Sequence, residues 1–273
     1  MTIEELLNYR KSILEDSKDE DGFIQQQPLL SQALPLMLDA KLVDSEDYNE
    51  SYYKHEADNL KINAYVVNES GERLQLFMVN ESSINEVASD EELQISSRLD
   101  YESQFKRVTR FITKAVKGQL NDEIQDSDPV KAIVSKITSA EGIEQFDVIE
   151  IFLISLTATV SFKGAVPQPR RIHFVEERQS ITYKLDGHKS SKEYLISKRL
   201  IDLNFLFNVL VSRGCREPLS VNFDKTFGYN LEVINAARES NFESYLCVMK
   251  ADVLADLYKH YSSRLLEKNV RSF

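Results

Sequence analysis

The stretch LKINAYVVNESGERLQLFMVNESS, residues 60–83, requires an antiparallel sheet. Apolar side chains recur at alternate positions on both sides of Ser70-Gly71, the pattern of two strands joined by a tight turn. With Ser70-Gly71 as a two-residue turn, Val67 faces Leu74, Tyr65 faces Leu76 and Asn63 faces Met78. Facing residues share one side of a sheet, so Asn63 is expected beside Leu74, Leu76 and Met78.

The remaining elements follow from spacing and turn chemistry. Ile3, Leu6, Leu7, Tyr9 and Ile13 predict a first helix, stopped by SKDEDG at 17–22. A second helix is expected over 22–42, kinked or broken at Pro28 and Pro35. A strand around 52–55 precedes the hairpin, and SSINEVASDEEL after it is a polar loop. Phe105, Val108, Ile112, Ala115 and Val116 mark a helix over 101–120. A shorter helix begins at DSDPVKAIVSKI, with Asp128 as cap and Pro129 in its first turn. Strands are expected at 148–160, 170–177 and 180–185, then a helix over SKRLIDLNFLFNVLVSRG closed by Gly214. EPLSVNF and SYLCVMK read as strands, and residues 251–269 as a terminal amphipathic helix. A chain of 273 residues exceeds the usual single-domain size, and the weak periodicity after residue 224 divides it into 1–224 and 225–273.

Charge and composition exclude several classes of function. Thirty-three Lys and Arg against 44 Asp and Glu leave a formal net charge of −11, so the surface as a whole repels phosphate and any nucleic-acid contact must be local and weak. Cys215 and Cys247 form no CxxC pair, which suits a reduced cytoplasm and no zinc site. The acidic start MTIEELLNYRKS is not a secretory signal. The longest apolar run, residues 149–162, contains Glu150 and is too short to cross a bilayer, so no membrane partner is expected.

The chemistry-bearing residues are sparse. The 8 glycines are scattered, so no phosphate-cradling loop is present. His55, His173, His188 and His260 lack metal-ligand spacing. Ser17, Asp19 and Asp21 alternate before Gly22 as in a calcium loop, but Pro28 stands where the bidentate Glu belongs. On the helix 101–120, Lys106, Arg107, Arg110, Lys114 and Lys117 lie opposite the apolar stripe, a candidate nucleic-acid-binding face that also reads as ordinary solvated cations. The hairpin is a candidate metal site, since nuclease hairpins of this shape carry an Asp on one strand and a Glu-x-Lys on the next. Asn63 occupies the Asp position without a carboxylate beside it, so no catalytic set and no cofactor are expected. Mg²⁺ enters only if acids elsewhere, Asp58, Glu69 or Glu72 with Glu20 or Asp21, form an active nuclease.

Taken in order, these segments resemble the abortive-infection phage-resistance family of bacterial defence proteins. YLCVMKADVLADLYKHYSSRLLEKNVRSF, 245–273, looks like the opening of that family's main domain, and LIDLNFLFNVLVSRGCREPLSVNF, 200–223, is similar to the passage preceding it. INAYVVNESGERLQLFMVNESS resembles the family's N-terminal element, where the first strand often carries Asp-Gly rather than Asn63-Ala64. The resemblance implies a degenerate restriction-endonuclease-like α/β fold, a mixed sheet flanked by helices and followed by a further α/β segment, in a chain that stops as the main domain begins. It implies a non-catalytic interaction or nucleic-acid-sensing module of an antiviral protein. The alternatives are the Mg²⁺-dependent nuclease and a structural platform for oligomers. The expected partners are other defence-system proteins or further copies of this chain.

Overall fold

The computed structural model describes residues 3–68, 70–84, 93–95, 97–158, 160–163, 166–169, 174–211, 223–239 and 242–261. The chain divides into two compact units, Met1–Cys215 and Arg216–Phe273.

The first unit is a mixed α/β structure. Its elements are α1 (Ile3–Asp16), α2 (Gln26–Asp39), β1 (Asn49–His55), β2 (Leu60–Val67), β3 (Arg73–Val79), a 3-10 turn (Glu81–Ser83), α3 (Arg98–Val116), α4 (Lys131–Thr138), α5 (Ala140–Gln145), β4 (Val148–Ile154), β5 (Val160–Lys163), β6 (Val166–Pro169), β7 (Phe174–Leu185), β8 (His188–Ile201) and α6 (Leu203–Val211). Six strands form one sheet in the order β1-β2-β3-β4-β8-β7. β1, β2 and β3 pair antiparallel, β3-β4 and β4-β8 parallel, and β7-β8 antiparallel. β5 and β6 make a separate hairpin.

Both faces of the central strands are covered. Leu60, Ile62, Leu74, Leu76 and Met78 share a core with Phe105, Val108, Phe111 and Ile112 of α3 and with Ile133 and Val134 of α4. On the other face Ala64, Val66, Phe77, Val79, Phe152 and Ile154 meet Leu6 of α1, Leu29 and Leu34 of α2 and Phe205 of α6. Two covered faces explain why RLQLFMV and VIEIFLI are nearly continuous apolar runs. α3 starts on a capping box, Ser97 with Asp100, and its buried Tyr101, Phe105, Val108 and Ile112 recur at helical spacing. α5 follows α4 so closely that a Cβ on Gly142 would lie 1.7 Å from the Lys136 carbonyl oxygen, which only glycine permits.

Several boundaries differ from expectation. α2 starts at Gln26, so Pro28 falls in the first turn, where its missing N–H has no intrahelical acceptor to satisfy. The helix then continues through Pro35. Burial of Leu29, Leu30, Ala33, Leu34 and Met37 outweighs the cost of about 3 kcal/mol for an interior proline. α4 begins at Lys131, because the Asp128 carboxylate accepts the Gln125 N–H of the preceding turn at 3.1 Å instead of capping. The segment 197–214 is not one helix. β8 runs to Ile201 alongside β4, and Asp202 then accepts the Phe205 N–H at 2.8 Å to start α6. The two strands expected at 170–185 form a single β7, whereas β4 stops at Ile154.

The second unit holds α7 (Phe223–Phe227), β9 (Val233–Glu239), β10 (Phe242–Cys247) and α8 (Ala251–Tyr261), with β9 and β10 paired antiparallel. Gly214, Cys215, His173, nearly all of EPLSVNF and the end of the expected terminal helix lie outside the described residues. No described helix is long and apolar enough to cross a membrane.

Candidate functional site

Asn63 does not stand on the leucine face. Leu60 and Ile62 point into the core under α3, and so do Tyr65 and Val67, so the alternation along β2 skips a step between them. Ala64 and Val66 face the opposite core. The ladders are irregular at the same point: the even β2-β3 register ends at Ala64↔Phe77, and the β1-β2 register shifts between Glu50 and Tyr53, where Ser51 and Tyr52 of β1 stand opposite Asn63. A one-residue step in a strand's alternation reverses the side of every side chain beyond it. Val67 does pair with Leu74 and Tyr65 with Leu76, but Asn63 turns toward α2. Its Oδ1 accepts the Val79 N–H at 2.8 Å in place of a backbone bond, and its Nδ2 donates to Gln26 Oε1 at 2.8 Å.

That turn places Asn63 in a buried polar network. Lys61 is 0% exposed, and its Nζ donates to the Val79 carbonyl at 2.7 Å and to Gln26 Oε1 at 2.8 Å while lying 3.1 Å from Glu81 Oε1. Glu81, at the head of the 3-10 turn, accepts Gln26 Nε2 at 3.0 Å on the same oxygen and Lys54 Nζ at 2.8 Å on the other. Lys54 also binds Glu56 at 2.8 Å, and Arg107 lies 3.6 Å from Glu56. Gln26 therefore connects α2 to β2 and to the turn after β3.

The charges set each other's protonation. Burial opposes ionisation of Glu81, but the Lys54 hydrogen bond and the Lys61 charge prevail and hold its carboxyl at about 2. Burial draws the Lys61 ammonium down to about 8 against the attraction of Glu81. Hydrogen bonds to Glu56 and Glu81 raise Lys54. Because the folded carboxyl titrates below its ordinary 4.5, Glu81 stabilises the fold above that pH and loses this contribution as pH falls toward about 2. Urea unfolding at pH 5 and pH 3 is expected to show a loss of about 1.5–2 kcal/mol that Glu81→Gln does not show. Equal pH slopes in the two proteins would remove Glu81 from the network.

A cleft of about 330 Å³ opens beside the network, with Gln25, Gln26, Gln27, Tyr48, Glu50, Tyr52 and Asn63 in its wall. Gln27 hydrogen-bonds Glu50, and Tyr48 bonds Ser31 at 2.8 Å. Amides, phenols and a carboxylate suit uncharged hydrogen-bonding groups and repel phosphate.

Arg107 aside, the other predicted residues that the structure describes lie apart from this network. Asp58 is bound by Lys114 at 2.5 Å and lies 3.1 Å from His55. Glu72, Glu20 and Asp21 are exposed in turns, and Glu69 lies outside the described residues. Among the described residues, no group of three or more His, Cys, Asp or Glu is placed to hold a metal. A further buried carboxylate, Glu150 on β4, is held by Gln75 Nε2 at 2.8 Å and Arg73 at 3.5 Å. The basic stripe on α3 is interrupted. Lys106, Arg110 and Lys117 are exposed, but Arg107 is buried with its Nη2 3.5 Å from the Leu60 carbonyl, and Lys114 is paired. Sequence reading missed Gln26, Lys54, Lys61 and Glu81. The available signal was Lys61 and Asn63 two apart in a strand otherwise rich in apolar residues.

A family model described as the abortive infection phage resistance protein N-terminal domain matches residues 36–173. That span includes the β2-β3 hairpin, Lys61 and Glu81, while the passages 200–223 and 245–273 fall outside it. No curated protein and no solved structure gives a match.

Proposed function

The chain belongs to the abortive infection phage resistance family, and from that premise we propose that its first unit serves antiphage defence as a non-catalytic interaction module in the cytoplasm. One observation supports the reading above the others. The buried charges at the hairpin satisfy each other: Lys61 has three acceptors for its three hydrogens, and both Glu81 oxygens accept cations or amides. A hydrolytic centre needs a base or metal ligand with an unfilled position facing substrate, whereas the buried pair Lys61 and Glu81 is taken up by Gln26, Lys54 and the Val79 carbonyl. In place of an acid the hairpin carries Asn63, whose side chain repairs a break in the sheet. A net charge of −11 and the loss of Arg107 and Lys114 from the α3 stripe favour a protein partner over nucleic acid.

The purified chain is expected to leave plasmid and single-stranded DNA and RNA intact in Mg²⁺ or Mn²⁺. Metal-dependent cleavage that survives Asn63→Ala but disappears with Asp58→Ala or Glu69→Ala would replace this reading with that of an active nuclease.

A further inference from the structure

The two edges of the six-stranded sheet are built differently. β1 is seven residues long and carries the register shift, a device that keeps an edge from pairing with another strand. β7 is twelve residues long and pairs with β8 without a break from Phe174↔Arg199 to Leu185↔His188. It contains no proline and has no second strand partner among the described residues. About half of its backbone N–H and C=O groups therefore point outward in one straight row.

We infer that the free edge of β7 pairs antiparallel with β7 of a second copy of this chain, about a two-fold axis through Ser180. The argument is charge complementarity. Glu176, Arg178, Ser180, Thr182 and Lys184 are the exposed residues on one face of β7. A two-fold axis perpendicular to a sheet keeps the faces matched only when it passes through a residue. Centring on Arg178 sets it against itself, and centring on Ile181 sets Arg178 against Lys184. Centring on Ser180 puts Glu176 opposite Lys184 at both ends, Arg178 opposite Thr182, and Val175 opposite Leu185. It also meets a need within the monomer, where Lys184 faces Lys189 across the hairpin and the incoming carboxylate would offset that like pair. The charges that would ordinarily guard an edge strand thus become the contacts that select one register.

This inference deepens the interaction-module reading, and its test separates the two. Sedimentation equilibrium of the intact chain over a range of concentrations is expected to give twice the 31.4 kDa chain mass. Glu176→Lys and Lys184→Glu alone should each weaken the dimer roughly tenfold, and the double exchange should restore it. Both side chains are exposed, so circular dichroism should show folded variants throughout. A monomer at every concentration, a dimer insensitive to the single changes, or a double variant that stays weak would each overturn the β7 interface. A monomer that also leaves nucleic acid intact overturns only that interface, whereas metal-dependent cleavage by a charge-sensitive dimer overturns only the non-catalytic reading.

Discussion

Leu76→Asp is expected to destabilise the first unit by about 4 kcal/mol or more, enough to lower its melting temperature by roughly 10 °C. Leu76 is 0% exposed on β3, between β2 and β4, with Val108, Phe111 and Ile112 of α3 in the same core. A carboxylate there loses its hydration and gains neither a cation nor a donor, so it either folds protonated or unfolds the chain. Leu76→Ala separates the two effects, since it removes the packing without adding charge and should cost about 2–5 kcal/mol. A melt of Leu76→Asp that overlays the wild type would mean that α3 does not cover this face.

That result depends on the part of the fold that was legible from residue order. The register of the hairpin near its turn, Tyr65 with Leu76 and Val67 with Leu74, follows from period-two burial, which is strict wherever a face is covered. α3 was readable for a similar reason, because its apolar residues recur at helical spacing over five turns. The irregularity at Asn63 was not readable. The ladders with both β1 and β3 are irregular there, and nothing in LKINAYVV by itself marks the position where the alternation skips a step. The switch from β8 to α6 was hidden in the same way. SKRLIDLNF supports helical spacing as well as alternation, and only the parallel partner β4 and the Asp202 cap decide between them. The site was the least legible part, because Lys61 is an unremarkable lysine until Gln26, 35 residues earlier, and Glu81 fold onto it.

Glu81→Ala is expected to cost about 3–5 kcal/mol, because it leaves Lys61 buried with a charge that only amide and carbonyl oxygens oppose. Lys61→Met should cost less. Methionine fills the space of the lysine stem, and the remaining Glu81 keeps its bond to Lys54 and is 26% exposed, so water supplies part of what Lys61 gave. The double variant Lys61→Met/Glu81→Leu decides what the network is for. Buried ion pairs replaced together by apolar groups of similar size are often neutral or stabilising, since both desolvation penalties vanish with the attraction. Denaturant unfolding of the wild type, Lys61→Met, Glu81→Leu and the double variant closes a cycle and gives the coupling between the two residues directly. A Glu81→Ala loss under about 0.5 kcal/mol would show that Lys61 is not held by Glu81. If the double variant is as stable as the wild type yet loses the interaction proposed for this unit, the network sets the position of Gln26 and the cleft beside it rather than holding the sheet together. If both stability and interaction survive, Lys61 and Glu81 serve neither, and the contact lies away from the network, as the β7 edge does.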